Sequence, residues 1–396
     1  MNRRNFIENS GLAIASVGLS GLAVPAAFAK DSSVTGVLDQ QLLTANVALN
    51  EKFYGCICGT HIGSSMGAVV EGWSYARIEE RYGTLEELLP YEHYGNRWVR
   101  DAGTTEDGVE RQKLMITAIM RKGGRVNAED VRAVWRTEIN EKAPGNVSEP
   151  FEGELLAMAK SSIPARDIGK YCDYSGLNSF ARACHPIGLI NAGDPASAVE
   201  DVYEVGQLYQ TSNSRGLQWA CVTAVAIASA TKSDATVESV IADIAKYCSR
   251  SVVNEINTGL KRTANCKDFR ELRVAFDPIY NGIGMPYNMS FANEVVSKAI
   301  CIFSMVKGDV REAIVAGVNL GRDTDCITAV AAGIAGALSG ASTIPMKWIE
   351  QVDASTKVNP FTNTKRTMRE NSDGLYDAFK NRLNTMKTYY DTMINI

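Results

Sequence analysis

Histidine is scarce in this sequence, and basic residues are not in excess. Three of the 396 residues are histidine, and 41 Lys+Arg against 45 Asp+Glu give a formal charge of −4. Without a basic surplus the chain lacks the electrostatic signature of nucleic-acid binding, so we expect no nucleic-acid partner. The remaining composition is ordinary, with 45% hydrophobic and 22% charged residues, which argues against a disordered or collagen-like protein.

Paired-cysteine patterns are also missing. The nine cysteines are an odd number, and no two of them form a Cys-x-x-Cys motif. Cys56 and Cys58 have no second pair nearby, so we expect no zinc site there. Cys221 and Cys301 lie in apolar helical patterns, and we interpret them as small buried side chains rather than parts of a disulfide framework.

Long apolar runs are missing beyond the N-terminal segment. No later stretch reaches the roughly 18 apolar residues of a membrane span, so we expect none in the mature chain. Residues 1–29 combine adjacent Arg3 and Arg4, an apolar run over 11–24 and the sequence Ala-Phe-Ala before residue 30. This pattern predicts a cleavable twin-arginine signal peptide, and hence a periplasmic or cell-envelope location. An uncleaved anchor helix is the alternative.

Apolar residues recur at helical spacing along almost the whole chain, and the alternation typical of strands is scarce. Asp309, for example, precedes such a pattern as a helix cap does. The segments 217–230 and 327–341 are apolar or small nearly all round, which is typical of buried helices. We predict an all-α fold, with residues 30–50 as a leader segment and 51–396 as one compact domain.

Two short segments place acids at predicted helix starts. Residues 105–107 read Thr-Glu-Asp, and residues 323–325 read Asp-Thr-Asp. The helix dipole favours a carboxylate there, so capping is one explanation. One cap needs only one acid, however, and two neighbouring acids repel unless a cation lies between them. Mg²⁺, Mn²⁺ and Ca²⁺ take oxygen ligands of this kind, so a metal site is the other explanation.

Glycine recurs at every fourth position from Gly55 to Gly67, and Glu71 ends the series. This spacing lines one face of a helix with glycine and permits very close contact with another helix. A phosphate-binding loop is disfavoured because no Gly-Lys-Ser/Thr follows. A packing helix explains the glycines but leaves Glu71 unexplained.

Taken in order, these segments resemble the ADP-ribosylglycohydrolase family, which includes the dinitrogenase-reductase-activating glycohydrolases and related crystallins. The family shows a glycine-rich helix ending in Glu, a Thr-Asp-Asp-Thr motif, an Arg/Pro/Gly segment and Gly-x-Asp-Thr-Asp-Thr before an Ala/Gly-rich helix. Glu71 and the segments 105–107, 182–188 and 323–325 match these motifs, and the resemblance runs from about Lys52 to Ser342.

The resemblance implies a compact orthogonal multi-helix bundle with a binuclear Mg²⁺ or Mn²⁺ centre in a cleft. It also implies cleavage of the bond between an anomeric ribose carbon and a leaving group on a protein or small molecule. The metal ligands that it implies are Thr105, Glu106, Asp107, Asp323 and Asp325. Glu71 and Glu106 are the predicted catalytic residues, with Glu71 as an acid/base beside the metal.

Several positions depart from the family pattern. Glu106 replaces the first Asp of the second motif, and Gly108 replaces the hydroxyl residue that usually follows. Cys326 replaces the Thr of the last motif, which exchanges a hard oxygen for a soft sulfur. Gly-Leu-Asn, ending at Asn178, stands where the family's Gly-Asn-Gly commonly holds the ribose and phosphates. The acids are retained and the substrate-facing pattern is not, so we predict a retained metal-hydrolase architecture with a changed substrate.

The predicted substrate-binding residues are Asn178, Tyr280, Asn281, Gly282 and Tyr287. All except Asn178 lie in one loop, for which an ordinary surface turn is the alternative interpretation. The predicted function is an exported metal-dependent hydrolase of a ribosyl or other glycosyl bond, acting on a small glycoside or an ADP-ribosyl-like compound. The alternatives are a true ADP-ribosyl-protein or ADP-ribose hydrolase and a non-catalytic sugar-binding envelope protein.

Overall fold

The computed structural model describes residues 47–92, 99–140, 150–172, 175–281 and 289–394. Contacts divide the chain after Gln40, and every described residue belongs to the second unit. The predicted signal peptide, most of the leader segment and the two predicted substrate residues Gly282 and Tyr287 lie outside the described residues.

Helices account for nearly all regular structure in these ranges, which confirms the predicted all-α class. The α-helices are α1 Leu49–Gly67, α2 Tyr75–Tyr82, α3 Asp107–Lys122, α4 Ala128–Glu138, α5 Pro150–Lys160, α6 Ala165–Ile168, α7 His185–Ile190, α8 Pro195–Gly206, α9 Arg215–Ala230, α10 Val237–Tyr247, α11 Arg250–Thr263, α12 Phe269–Phe276, α13 Ala292–Met305, α14 Val310–Val318, α15 Thr324–Ser339, α16 Met346–Val358 and α17 Met368–Ile394. Two short strands, β1 Tyr91–Glu92 and β2 Val99–Arg100, form an antiparallel pair. Within the described ranges, none of the helices combines the length and apolar character that crossing a membrane requires.

Local sequence signals explain where several helices begin. The Asp309 carboxylate accepts a hydrogen bond from the Glu312 backbone N–H and caps α14, as its position predicts. Asn127 and Asp130 form a reciprocal capping box at the start of α4. Helix α9 has few polar residues on any face, and it is buried over nearly its whole length.

Helices α1 and α15 lie at the centre of the molecule and touch along their backbones. A Cβ atom on Gly55 would lie 2.3 Å from the carbonyl oxygen of Gly336, and one on Gly59 would lie 2.2 Å from that of Ala332. No side chain larger than hydrogen fits between the two helices at these positions. Helices α9, α13 and α14 also pack against α15, and α16 and α17 pack against α1.

Candidate active site

The close contact between α1 and α15 continues to the first turn of α15. A Cβ atom on Gly67 would lie 2.5 Å from the carbonyl oxygen of Thr324 and 2.6 Å from Cα of Asp325. The Thr324 hydroxyl donates a hydrogen bond of 2.7 Å to the carbonyl oxygen of Gly67. The last glycine of the series therefore fixes the end of α1 directly against the segment 323–325.

Backbone hydrogen bonds made by the two residues after Glu71 place Glu71 next to the segment 323–325. The Gly72 N–H donates to the carbonyl oxygen of Arg322, and the Arg322 N–H donates to that of Trp73, each at 2.8 Å. The Glu71 charge acts on the Asp325 carboxyl group, as expected for close neighbours. The position of Glu71 at the end of the glycine series thus brings it beside the second acidic segment.

Asp323 and Asp325 form a buried pair of carboxylates that are 0% and 3% exposed. The Oδ1 atom of each is buried without a hydrogen-bond partner among the described residues. Asn178 Nδ2 donates to Asp323 Oδ2 at 2.9 Å. Asp323 occupies the N-cap position of α15 but makes no side-chain cap hydrogen bond, so capping does not account for it. Burial raises the pKa of Asp325 well above its usual range, and the Glu71 and Asp323 charges act in the same direction.

This carboxylate pair fits a hard divalent cation. Ligand atoms of Asp323, Asp325 and Cys326 lie within 4.8 Å of one another. Buried carboxylates that repel each other and have oxygens without partners are stabilised by a cation, and Mg²⁺-type ions prefer oxygen ligands. Burial raises the pKa of Cys326 well above its usual range, and its thiol donates to Asp325 Oδ2 at 3.3 Å. Because hard cations such as Mg²⁺ prefer oxygen to sulfur, the two carboxylates are the ligands that this cluster offers them.

Arg182 connects the first acidic segment to the second. Its Nη2 atom lies 2.5 Å from Asp107 Oδ2, and its Nη1 atom donates to Cys326 Sγ at 3.5 Å. A Cβ atom on Gly108 would lie 3.0 Å from Cδ of Arg182, so the missing hydroxyl residue at position 108 leaves room for the arginine. Asp107 and Cys326, the residue after Asp325, therefore contact a single guanidinium group, and the structure brings the two segments together.

Glu106 belongs to a separate set of buried contacts. Tyr91 donates its hydroxyl hydrogen to Glu106 Oε1, and Arg100 Nε lies 3.1 Å from the same oxygen. Glu106 Oε2 is buried and has no hydrogen-bond partner within the described part of the chain. Burial raises the pKa of Glu106 to about 7, while Arg100 and Tyr91 act in the opposite direction. Sequence reasoning missed Tyr91 and Arg100 because the pairing of β1 with β2 brings them to Glu106, and no sequence motif marks them.

The Thr105 hydroxyl, also a predicted ligand, lies in a buried network with Glu110 and Lys113. It donates to Glu110 Oε1 at 2.6 Å and accepts from Lys113 Nζ at 3.1 Å. Lys113 Nζ also donates to Glu110 Oε1 at 2.7 Å. Asn359 Nδ2 donates to the Thr105 carbonyl oxygen at 3.1 Å. The hydrogen-bonding capacity of Thr105 is therefore used within this network.

Two of the predicted substrate residues line a pocket of about 230 Å³. Tyr280 and Asn281 border it together with Arg322, the residue before Asp323. The Tyr280 hydroxyl donates to Glu255 Oε1 at 2.8 Å. Asn178, the third described member of the predicted set, lies at the carboxylate pair itself through its hydrogen bond to Asp323.

The ADP-ribosylglycohydrolase family model matches residues 45–383 of this chain. The chain belongs to the ADP-ribosylglycohydrolase family. This confirms the resemblance drawn from the motifs. Members of the family are generally hydrolytic enzymes, so a glycosyl-hydrolase-like activity is the function that membership indicates.

Similar proteins cover most of the chain. An uncharacterized protein of Archaeoglobus fulgidus is 26% identical over 307 residues, which are 76% of this chain and 92% of that protein. The uncharacterized protein YegU of Escherichia coli K12 is 24% identical over 326 residues, 78% of this chain and 94% of that one. A solved structure, an ADP-ribosylglycohydrolase-related protein complex, superposes with a TM-score of 0.61 at 16% identity and covers 84% of this chain and 99% of its own. This structural similarity supports the predicted fold.

Proposed function

We propose that this family member is an exported, metal-dependent hydrolase of a ribosyl or another glycosyl bond. The observation that supports this most strongly is the buried pair Asp323 and Asp325. Each has one oxygen without a hydrogen-bond partner among the described residues, and Glu71 lies beside them. An arrangement of three acids is costly to bury without a compensating cation, and a structural role in helix capping would need only one.

The cofactor that we propose is Mg²⁺ or Mn²⁺, with two ions per chain. Asp323 and Asp325 would hold metal from the start of α15, with Asp107 and the Glu106 Oε2 atom as ligands from the start of α3. Thr105 would bind through a lone pair of its hydroxyl oxygen, so it would give up the hydrogen bond that it accepts from Lys113 and keep the one that it donates to Glu110. Such ions, when bound, polarise substrate oxygens and lower the pKa of water.

Glu71 is the residue that we propose for proton transfer. A glycosidic bond breaks through an oxocarbenium-like transition state, so a carboxyl group must protonate the leaving group or activate water. Glu71 is half-buried, whereas Asp323 and Asp325 are buried, so among these three acids it is the residue with the most exposed surface. Positioned proton transfer contributes about 10²–10⁴ in rate. Glu106 is the second candidate for this role.

Metal titration of the purified mature chain tests the metal site. We expect the wild type to bind Mn²⁺ in calorimetry, and the double variant Asp323→Asn/Asp325→Asn to lose this binding. The metal-free double variant should unfold at the same or a higher urea concentration, because it replaces two buried acids, whose charged forms burial and mutual repulsion disfavour, with neutral amides. As a matched control, Asp309→Ala removes another helix N-terminal acid and should cost about 1 kcal/mol while keeping Mn²⁺ affinity. Equal Mn²⁺ binding by the wild type and the double variant would contradict the proposal.

A substrate panel then divides the glycosidase from the family's own activity. We propose that simple ribosides or other glycosides are cleaved to free sugar, while ADP-ribosyl arginine and ADP-ribosyl serine are poor substrates. The departure at residues 176–178 from the family's Gly-Asn-Gly supports this. Efficient release of ADP-ribose would instead favour a true ADP-ribosyl hydrolase. Sugar binding without cleavage of any compound would favour the non-catalytic alternative.

Export to the periplasm or cell envelope is a separate part of the proposal. It rests on Arg3, Arg4 and the following apolar run. All nine cysteines lie in the described ranges and none forms a disulfide, which suits a chain that folds in a reducing compartment before export. Fractionation of cells that express the wild type and Arg3→Lys/Arg4→Lys tests it. A mature chain cleaved after Ala29 should appear in the envelope fraction for the wild type alone, and equal distribution would refute export by this signal.

A further inference from the structure

Helix α17 continues past the region that the family fold accounts for. The family model ends at residue 383, whereas α17 runs from Met368 to Ile394. Leu375 and Phe379, in the first half of the helix, are buried in the core. Every residue over 383–394, which we call the distal segment, is exposed. The distal segment therefore packs little against the rest of the described chain, and its sequence needs another explanation.

The distal segment presents a stripe of apolar side chains to solvent. Twelve large hydrophobic side chains are exposed in the described ranges, and six of them lie within this segment. These six, which we call the stripe, are 46–68% exposed: Leu383, Met386, Tyr389, Tyr390, Met393 and Ile394. Positions 383, 386, 390 and 393 alternate spacings of three and four residues, which is the pattern of helices that pair along one seam. Asn384, Thr388 and Thr392 lie on the opposite face. A cluster of this kind marks an interaction surface.

The distal segment has little intrinsic tendency to be helical. Residues 384–394 include three threonines, two tyrosines, an asparagine and an aspartate, all of which are weak helix formers. The hydroxyls of Thr388 and Thr392 donate to the backbone carbonyl oxygens of Asn384 and Thr388 at 2.9 and 2.8 Å, and such bonds slightly destabilise a helix. Because short helices in water depend on the packing of an apolar face, we expect a partner to cover the stripe.

The charges of the distal segment argue against a lipid surface as that partner. Lys387 and Asp391 are its only charged residues, so its net charge is zero. Amphipathic helices that lie on membranes typically carry many Lys and Arg on the polar face, which attract anionic lipids. Here the polar face consists of Asn and Thr, so the distal segment lacks this attraction. The same near-neutrality allows two copies of the segment to approach each other without strong repulsion.

A second copy of this chain matches the stripe in size. The six side chains are each about half exposed and present roughly 600 Å² per copy, at about 100 Å² each. Two copies would therefore bury roughly 1,200 Å², which is the lower end of the range for specific interfaces. A groove of about 500 Å³ lies beside the base of the distal segment, bordered by Thr385 and Met386 of α17 and by Gly123 and Ser197. This groove leaves room for the end of a second helix.

We propose that the distal segments of two copies pair as antiparallel helices and form a homodimer. In an antiparallel pair the same edge of each helix meets, and Lys387 and Asp391 lie on one edge of the stripe, one turn apart. With the two-fold axis near residue 389, the middle of the segment, Lys387 of each copy faces Asp391 of the other. Antiparallel order also aligns the helix dipoles favourably. The dimer does not depend on the proposed function, since none of these residues belongs to the candidate active site.

Sedimentation velocity of the purified mature chain over a range of concentrations tests the dimer. We expect the wild type to approach the mass of two chains as its concentration rises. Met386→Glu/Tyr390→Glu places two charges in the apolar seam and should raise the dimer dissociation constant at least about 100-fold. Thr388→Glu/Thr392→Glu adds the same charge on the opposite face and should keep the dimer. Because all four side chains are exposed, both variants should still fold, which urea unfolding checks.

A pair of single variants tests the antiparallel order. Lys387→Glu brings a glutamate against Asp391 of the other copy, and Asp391→Lys brings a lysine against Lys387. Each variant alone should therefore form a dimer several-fold weaker than that of the wild type. An equimolar mixture should recover the affinity, because each charge then faces its opposite. Mixing cannot restore the pairing of residues 387 and 391 within one helix, so recovery reports contacts between copies.

Three results would overturn parts of this inference. A wild type that stays monomeric at every concentration would overturn the homodimer, and binding of that monomer to phosphatidylglycerol vesicles would assign the stripe to a lipid surface instead. A dimer that persists in Met386→Glu/Tyr390→Glu, or one that is lost equally in Thr388→Glu/Thr392→Glu, would overturn the role of the stripe. A mixture that dimerises no more tightly than its two components would overturn the antiparallel order.

Discussion

The contact between α1 and α15 makes a sharp prediction about how the fold holds the site. In Gly67→Ala, the new Cβ atom would lie 2.5 Å from the Thr324 carbonyl oxygen and 2.6 Å from Cα of Asp325. Carbon atoms in contact are normally about 3.5–4.0 Å apart, so the start of α15 must move by about 1 Å. Overpacking of this kind costs about 1–3 kcal/mol, and the higher helix propensity of alanine returns up to about 1 kcal/mol.

The displacement should affect the site more than the stability. Asp325 is itself one of the nearest neighbours of the new Cβ atom. A shift of about 1 Å among catalytic groups can reduce activity by about 10²-fold. We expect Gly67→Ala to unfold at a modestly lower urea concentration and to lose most of its Mn²⁺ affinity and glycosidase activity.

Gly55→Ala provides the matched control at the other end of the same contact. Its Cβ would lie 2.3 Å from the Gly336 carbonyl oxygen and 2.5 Å from Cα of Gly340, far along α15 from Asp325. We expect a similar loss of stability in urea unfolding, with Mn²⁺ affinity retained. Equal loss of Mn²⁺ affinity in both variants would show that the effect is global, and unchanged affinity in Gly67→Ala would refute the claim that this glycine positions the carboxylates.

Two further predictions concern buried polar groups. Burial lowers the pKa of His185 from 6.5 to about 4, so its neutral ring stabilises the fold above about pH 6.5 and this contribution is lost as the pH falls toward 4. Between about pH 7 and pH 5, urea unfolding should show the wild type losing about 2 kcal/mol more than His185→Asn, and equal losses would contradict the assignment. Lys113→Met leaves Glu110 buried without its cation and should cost about 3–5 kcal/mol, whereas Lys113→Met/Glu110→Met should recover much of it; a double variant no more stable than the single would argue against the pair.

Local sequence patterns were sufficient to predict much of the fold. The cap at Asp309, the buried helix around 217–230 and the glycine face of α1 all depend on residues within a few positions of one another. Such patterns act through backbone geometry that is the same in any protein, so they can be interpreted before the structure is known. The order of the motifs adds the family resemblance, which the family model confirms.

The composition of the site was predicted only in part. Asp323 and Asp325 share one helix start, and their proximity follows from spacing alone. The residues that contact the other predicted ligands were not foreseen. Tyr91 and Arg100 reach Glu106 through strand pairing, and Glu110 and Lys113 form hydrogen bonds with the Thr105 hydroxyl. Each depends on side chains from elements that the sequence pattern describes separately.

The amino-acid sequence by itself determined the helices, the face along which α1 meets its partner and the two acidic segments, because these follow from periodicity and from the preferences of helix ends. Only the tertiary structure decided which of the acids meet and which cation each one faces. Arg182 lies 75 positions from Asp107 and 144 from Cys326, yet it contacts both. No local rule links residues so far apart, because their distance in space depends on how all the intervening helices pack.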